Sequence, residues 1–187
     1  MEFEIDGVDY GPLGPLAGIW EGNKGMDVAP EPDGEEHSPY YETILYEPCG
    51  TVDNAESQKL AILRYHQVVR RISNDEEYHN ETGYWLWDAD QALVSRTLTI
   101  PRGVALVAGG SFEEVDGEVI IRVHAAKSDA NWLIIEAPFM RDNASTQSFD
   151  HTIRVRGDDM NYEELTVVDI YGKRFDHTDA NSLTRAS

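Results

Sequence analysis

The sequence predicts an all-β fold, a single antiparallel up-and-down β-barrel of about ten strands with very little helix. At 187 residues the chain can bury a sizeable core, and we assign residues 1–187 to one barrel domain. Runs rich in Val, Ile, Thr and aromatic residues are separated by turn-forming segments such as Ser73-Asn74-Asp75 and Asp116-Gly117. Short connections favour antiparallel neighbours, and closure of the sheet removes its exposed edges.

The first elements are a short helical turn and a strand that contains Trp20. Pro12 and Pro15 limit any helix within Gly11–Ala17 to about one turn. Residues 27–39 are acidic and rich in proline. Because such a composition is typical of solvated connections, we expect a long loop there, without ligand contacts of its own.

The remaining strands follow from composition and alternation. Phe149, His151, Ile153 and Val155 alternate with polar and charged residues, which gives one apolar and one charged face. Residues 125–148 mix apolar and small polar residues and leave room for one more strand. The other strands are expected at residues 40–47, 59–72, 77–88, 92–100, 104–112, 117–124, 149–156, 160–171 and 174–185.

Charge and composition exclude several functional classes. The net charge is -20 and the chain has only four Lys, so it lacks the clustered cations that nucleic-acid binding needs. Cys49 is the only cysteine, which excludes a disulfide framework and a multi-cysteine zinc site. The sequence contains no apolar run long enough to span a membrane. The acidic N-terminus has no apolar signal core, so we expect a cytoplasmic protein.

Four of the six histidines are expected to be structural or solvated. His37 lies in the acidic segment, and His124 belongs to the charged face of its strand. His66 lies on a strand with no clean apolar face. His151 shares the apolar face of its strand, where a core histidine that is hydrogen-bonded to a neighbour is the common outcome.

Three segments together resemble a known family. They are Gly18-Ile19-Trp20-Glu21-Gly22, then His79-Asn80-Glu81-Thr82-Gly83-Tyr84, and finally Gly172-Lys173-Arg174-Phe175-Asp176-His177 followed by Leu183-Thr184-Arg185. In this order they are similar to the opening, middle and last strands of nitrobindins, heme-binding β-barrels related in shape to lipocalins and fatty-acid-binding proteins. The resemblance spans nearly the whole chain.

The resemblance implies a heme site and a role for each matching residue. His177 matches the axial ligand of a ferric b-type heme, and His79 matches a histidine on the distal side of the porphyrin that influences small iron ligands. Trp20 matches a tryptophan at the cavity floor, and Gly103 matches a glycine near the heme edge. The implied chemistry is nitric oxide binding or isomerisation of peroxynitrite, with His79 as the catalytic side chain.

A second interpretation of the predicted barrel is that it carries fatty acids or other small lipophilic molecules and binds no heme. Its carboxylate anchor would be one of four arginines, namely Arg64, Arg96, Arg102 and Arg154. The sequence contains no hydrolase or phosphate-binding motif. We therefore expect heme or a small hydrophobic ligand as the partner, and self-association as a homodimer is left open.

Two further expectations concern charged residues and the last strand. The pairs Glu76-Glu77, Glu113-Glu114 and Glu163-Glu164 are expected on the solvated surface rather than in an acid-base site. The last strand carries one residue more than the family pattern between His177 and Arg185. This predicts a β-bulge at Thr178–Ser182, which would change the direction of the nearby side chains.

Overall fold

The strand-forming segments close into a ten-stranded antiparallel β-barrel in the computed structural model, which describes residues 3–186. A small hairpin, β1 (Glu4–Ile5) and β2 (Val8–Asp9), and a 3-10 helix (Gly11–Leu16) precede it. The barrel strands are β3 (Gly18–Glu31), β4 (Gly34–Asn54), β5 (Gln58–Arg71), β6 (Glu77–Asp88), β7 (Leu93–Ile100), β8 (Val104–Val115), β9 (Glu118–Ala126), β11 (Ala144–Arg156), β12 (Asp159–Ile170) and β13 (Lys173–Arg185). A short strand, β10 (Ile134–Glu136), and one helical turn, α1 (Pro138–Asn143), lie between β9 and β11.

Each barrel strand pairs with its neighbours along the chain, and β13 pairs with β3 to close the ring. The strand β8 has two partners on one side: β9 pairs with its second half and β10 with its first half. The predicted all-β, up-and-down barrel with little helix is therefore confirmed. Within residues 3–186, no helix is long and apolar enough to cross a membrane.

The expected loop at residues 27–39 is wrong. β3 continues to Glu31, the chain turns at Pro32-Asp33, and β4 begins at Gly34. Asp27 is paired with Ser38 of β4 on one side and with Asp179 of β13 on the other. Asp27 and Val28 are paired on both sides, and the outer part of the hairpin is held by pairing between β3 and β4, so its acidic, proline-rich composition does not decide its conformation.

One end of the barrel is filled with apolar side chains and covered by the 3-10 helix. The indole Nε1 of Trp20 donates a hydrogen bond of 2.7 Å to the carbonyl oxygen of Leu16, which fixes the helix against the first long strand. The largest side chains of this core, all nearly inaccessible to solvent, include Leu13, Leu16, Trp20, Leu63, Trp85, Ile121, Ile153 and Met160. This packed end leaves the opposite end of the barrel for a cavity.

The strand β6 depends on a glycine at its closest approach to β7. A Cβ added to Gly83 would lie 2.0 Å from the carbonyl oxygen of Thr97, well inside van der Waals contact. Only glycine allows this separation of the two strands. Gly83 thus keeps β6, which carries His79, close against β7.

Candidate functional site

The open end of the barrel encloses a cavity of about 460 Å³. This volume lies in the range of small-molecule sites, roughly 300–1,000 Å³. Aliphatic and aromatic side chains form much of its wall, namely Leu98, Ile100, Val104, Leu106, Met140, Phe149, Val168 and Ile170. The cavity is thus suited to a largely apolar ligand that also meets a few polar groups.

His177 projects into this cavity from β13. Its Nε2 lies 2.6 Å from Oδ1 of Asp27, and Asp27 is only 4% exposed. Residues at odd positions of β13 are the more buried ones, which places His177 on the inner face. The carboxylate of Asp27 therefore fixes the orientation of the imidazole ring.

The β-bulge expected at Thr178–Ser182 lies on the other strand. β13 pairs with β12 without any shift in register over its whole length, so its side chains alternate regularly. The irregularity occurs where β3 passes both of its neighbours, between Gly22 and Gly25. The extra residue of this region belongs to β3, and the inward direction of His177 is preserved.

Asp179 is the next inward residue of β13 after His177. Its Oδ1 is buried and has no hydrogen-bond partner among the described residues. Burial and then the negative charge of Asp27 raise the pKa of Asp179 to about 8. One ligand atom each from Asp27, His177 and Asp179 lie within 4.8 Å of one another.

His79 faces the cavity from a different wall. Its strand β6 is separated from β13 by β5, β4 and β3, so the two histidines belong to facing parts of the ring. A register shift next to Val69 adds Tyr78 to β6, which is why Tyr78 and His79 both line the cavity although they are consecutive. Nε2 of His79 lies 3.4 Å from Oε2 of Glu81.

The surroundings of His79 favour its charged form. Burial alone lowers the pKa of the imidazole, but the hydrogen bond and the charge of Glu81 outweigh it and raise the pKa above its ordinary value. A histidine in this state is a hydrogen-bond donor through its ring nitrogens. His79 can therefore donate to an oxygen or nitrogen atom of a molecule in the cavity.

A buried polar network centred on Arg96 lies beneath the floor of the cavity, which Glu81 lines. Arg96 and Glu81 are 2% and 3% exposed and form a direct ion pair. The guanidinium group also donates to the hydroxyl of Tyr65 at 3.1 Å and contacts Nδ1 of His151. Burial and then the nearby charge of Arg96 hold the pKa of His151 well below its ordinary value, so this ring is neutral. His151 is thus a bonded core histidine, as predicted.

Glu164 corrects the expectation that the Glu163-Glu164 pair lies at the surface. Glu163 is solvent-exposed, with 71% of its side chain accessible, but Glu164 lines the cavity 3.7 Å from Arg96. Burial and then the negative charge of Glu81 raise the pKa of Glu164. The pair alternates across the strand as expected, and the alternation itself turns one of the two carboxyl groups inward.

A second buried carboxyl group lies behind the cavity wall. Glu42 is 2% exposed and accepts hydrogen bonds from Tyr162 at 2.9 Å, Asn181 at 2.7 Å and Gln67 at 2.6 Å. Burial raises its pKa to about 7, against the lowering effect of these donors. The inner face of the barrel therefore carries more acidic groups than the apolar alternation of its strands indicates.

Two residues that the resemblance places at the heme lie outside the cavity wall. Trp20 is fully buried in the apolar core, with the guanidinium carbon of Arg185 4.3 Å from its ring centroid. Gly103 lies in the turn between β7 and β8, at a positive φ of 75°, and its carbonyl oxygen accepts a hydrogen bond of 2.7 Å from the amide of Ala137. Gly103 supports the wall beside Arg102, which lines the cavity, whereas Trp20 belongs to the packed end of the barrel.

The four arginines considered as carboxylate anchors have different environments. Arg64 and Arg154 lie on the outer surface, where they pair with glutamates. Arg96 is buried but already neutralised by Glu81. Arg102 lines the cavity and donates a hydrogen bond of 3.2 Å to the carbonyl oxygen of Tyr78. The carboxyl groups of the cavity wall are Asp27, Glu31, Glu81, Glu164 and Asp179.

Sequence reasoning missed these acidic residues of the cavity wall. Asp179 and Glu81 each follow a predicted site histidine by two positions, so period-two alternation could have placed them on the same inner face. Asp27 was hidden in the segment expected to be a loop. Glu164 was identified as part of a surface pair.

Comparisons with known proteins agree with this architecture. Residues 9–185 match the family model described as "THAP4-like, heme-binding beta-barrel domain", which confirms the resemblance to nitrobindins. The crystal structure of Rv2717c from M. tuberculosis superposes with a TM-score of 0.72 at 22% sequence identity, covering 94% of this chain and 95% of that one. At this level of identity the superposition supports the fold. No curated protein sequence gives a significant match.

Proposed function

Because the chain belongs to the THAP4-like family of heme-binding β-barrel domains, we propose that its cavity binds ferric heme b with His177 as the iron ligand. The observation that carries the proposal is the pair of His177 and Asp27 inside the cavity. A metal-ligating histidine usually has its second ring nitrogen hydrogen-bonded to a carboxylate or carbonyl, which fixes the ring and raises its basicity. The remaining ring nitrogen of His177 is then the ligand atom.

The other walls of the cavity fit a porphyrin. Apolar side chains of β7, β8, β11 and β12 suit its faces, and Arg71 and Arg102 supply positive charge for its two propionates. Gly103 supports this site beside Arg102, and Trp20 closes the packed end of the barrel. When bound, the ferric iron would supply the centre for nitric oxide binding or for conversion of peroxynitrite to nitrate.

His79 is the proposed catalytic side chain on the facing wall. Its 3.4 Å contact with the carboxylate of Glu81 orients the ring, and its raised pKa favours a protonated nitrogen that can donate to a small iron ligand. The chain's own contribution is therefore to hold the iron from one wall and to donate a hydrogen bond from the other.

Heme titration followed by the Soret absorption band tests the iron ligand. His177→Ala should abolish or greatly weaken the band, whereas His124→Ala, which removes a surface histidine paired with Asp150, should leave it as in the wild type. Equal heme affinity of the wild type and His177→Ala would refute the assignment.

Stopped-flow nitric oxide kinetics test the distal role. His79→Leu should keep its Soret band, because the iron ligand remains, and should change the rates of nitric oxide binding and release. Unchanged rates would remove His79 from the mechanism. Tight binding of a fatty acid without heme uptake would instead favour the lipid carrier.

A further inference from the structure

Asp27, His177 and Asp179 bring two carboxylates and one imidazole together on the adjacent strands β3 and β13. The three donor groups lie within 4.8 Å of one another. The backbone pairing of Asp27 with Asp179 sets this separation, because directly paired residues of an antiparallel sheet project from the same face. The cluster is therefore built into the register of the barrel and does not depend on a mobile loop.

The protein provides few partners for the carboxyl groups of this cluster. Asp27 is 4% exposed, and its close partner is the imidazole ring of His177. Among residues 3–186, no Lys or Arg forms a salt bridge with Asp27 or Asp179. The buried Oδ1 of Asp179 has no hydrogen-bond donor in the same part of the chain. An unsatisfied buried carboxylate oxygen is costly, and a bound cation would satisfy it.

We propose that, in the heme-free barrel, Asp27, His177 and Asp179 bind a divalent first-row transition-metal ion. One imidazole and two carboxylates match the three-ligand sets that leave a coordination position open on zinc and similar ions. Two ligands of a tetrahedral zinc ion, each about 2.0–2.1 Å from the metal, lie roughly 3.3 Å apart. The 2.6 Å contact between His177 and Asp27 therefore has to open by less than one ångström.

The metal site goes beyond the proposed heme function and does not depend on it. Both uses require His177: the metal ion would take Nε2, which contacts Asp27, and the heme iron would take the other ring nitrogen. The two carboxylates, in contrast, are ligands only in the metal site. Substitution of Asp179 therefore separates the two functions.

The test is a titration of the heme-free protein with Co²⁺, followed by its visible absorption, and with Zn²⁺, followed by calorimetry. We expect one Co²⁺ per chain, displaced by one equivalent of Zn²⁺. Asp179→Asn should weaken Co²⁺ binding by about tenfold or more, since loss of even an indirect partner of a metal ligand costs 10–100-fold. His177→Ala should abolish the absorption of bound Co²⁺.

Glu31→Gln is the matched control, because Glu31 is a cavity carboxylate outside the cluster. It should bind Co²⁺ with wild-type affinity. Equal weakening by Glu31→Gln and Asp179→Asn would show general attraction of cations to an acidic protein and would overturn the proposal, as would wild-type affinity in Asp179→Asn. A separate heme titration of the wild type tests the heme function, so Co²⁺ uptake without a Soret band would refute heme binding alone.

Discussion

Replacement of Arg96 by methionine should strongly destabilise the barrel. Arg96 and Glu81 are 2% and 3% exposed, so removal of the guanidinium leaves a buried carboxylate without its cation. Breaking one side of a buried ion pair costs about 3–5 kcal/mol, and each 1.4 kcal/mol is a factor of ten in the folding equilibrium. We therefore expect the equilibrium constant for unfolding to rise by roughly two to four orders of magnitude.

The pH dependence of this loss gives a sharper test. Burial by itself raises the pKa of Glu81, but the charge of Arg96 outweighs burial and holds the pKa well below its ordinary value in the folded protein. The stabilisation that results is present when the pH is above the pKa of Glu81 in the unfolded chain. It is lost as the pH falls through the pKa of Glu81 in the folded protein. Without Arg96 the pKa of Glu81 rises, so the folded variant can protonate this group and the destabilisation should be smaller at pH 5 than at pH 8.

Urea denaturation of the wild type and Arg96→Met at both pH values measures these effects. The double variant Arg96→Met, Glu81→Leu should recover much of the lost stability, because apolar side chains often replace a buried ion pair without loss. A cost below about 1 kcal/mol for Arg96→Met, or the same cost at both pH values, would show that the ion pair does not stabilise this floor.

Three further predictions concern other parts of the barrel. Glu42→Gln should flatten the pH dependence of stability. Because the pKa of Glu42 is raised to about 7 in the folded protein, the wild type loses stability as the pH rises from about 4.5 to 7, by up to 1.4 kcal/mol per pH unit. Urea midpoints of the wild type and the variant across this range measure the difference. Gly83→Ala should destabilise the fold by about 2 kcal/mol or more, because its Cβ would lie 2.0 Å from the carbonyl oxygen of Thr97; an unchanged melting temperature would contradict this. Asp27→Asn should weaken heme binding by about 10–100-fold through loss of the orienting contact to His177, and a Soret titration with unaltered affinity would exclude that role.

The strand pattern of the sequence predicted the barrel because period-two alternation and turn residues are local signals. The predictions for strands 77–88 and 104–112 differ from the structure by three residues or fewer at each end. The hairpin at residues 27–39 could not be recognised in this way. Its base, Asp27 and Val28, also pairs with β13, which lies far away in the sequence, and this contact has no local signal.

The part of the site that could be predicted from the sequence consists of the two histidines that lie in recognisable short motifs. His177 and His79 were identified by resemblance, and the structure places both on the cavity wall. The acidic groups beside them were missed because a charged residue on a strand is usually assigned to the solvated face. In a barrel with a partly polar interior, alternation shows only that neighbours point to opposite sides and does not show which side is inside.

Two buried carboxyl groups of this barrel show how differently the fold treats acidic side chains. Glu81 is neutralised by Arg96 and hydrogen-bonded by Tyr65 at 2.6 Å, although it lies deep in the wall. Asp179 lines the same cavity, yet its buried Oδ1 has no donor among residues 3–186. The barrel provides Arg96 as a cation for Glu81. The lack of a partner for the Oδ1 of Asp179 is therefore specific to that position. A carboxylate oxygen of Asp179 lies within 4.8 Å of a donor atom of His177 and one of Asp27, and the proposed metal ion would satisfy this carboxylate.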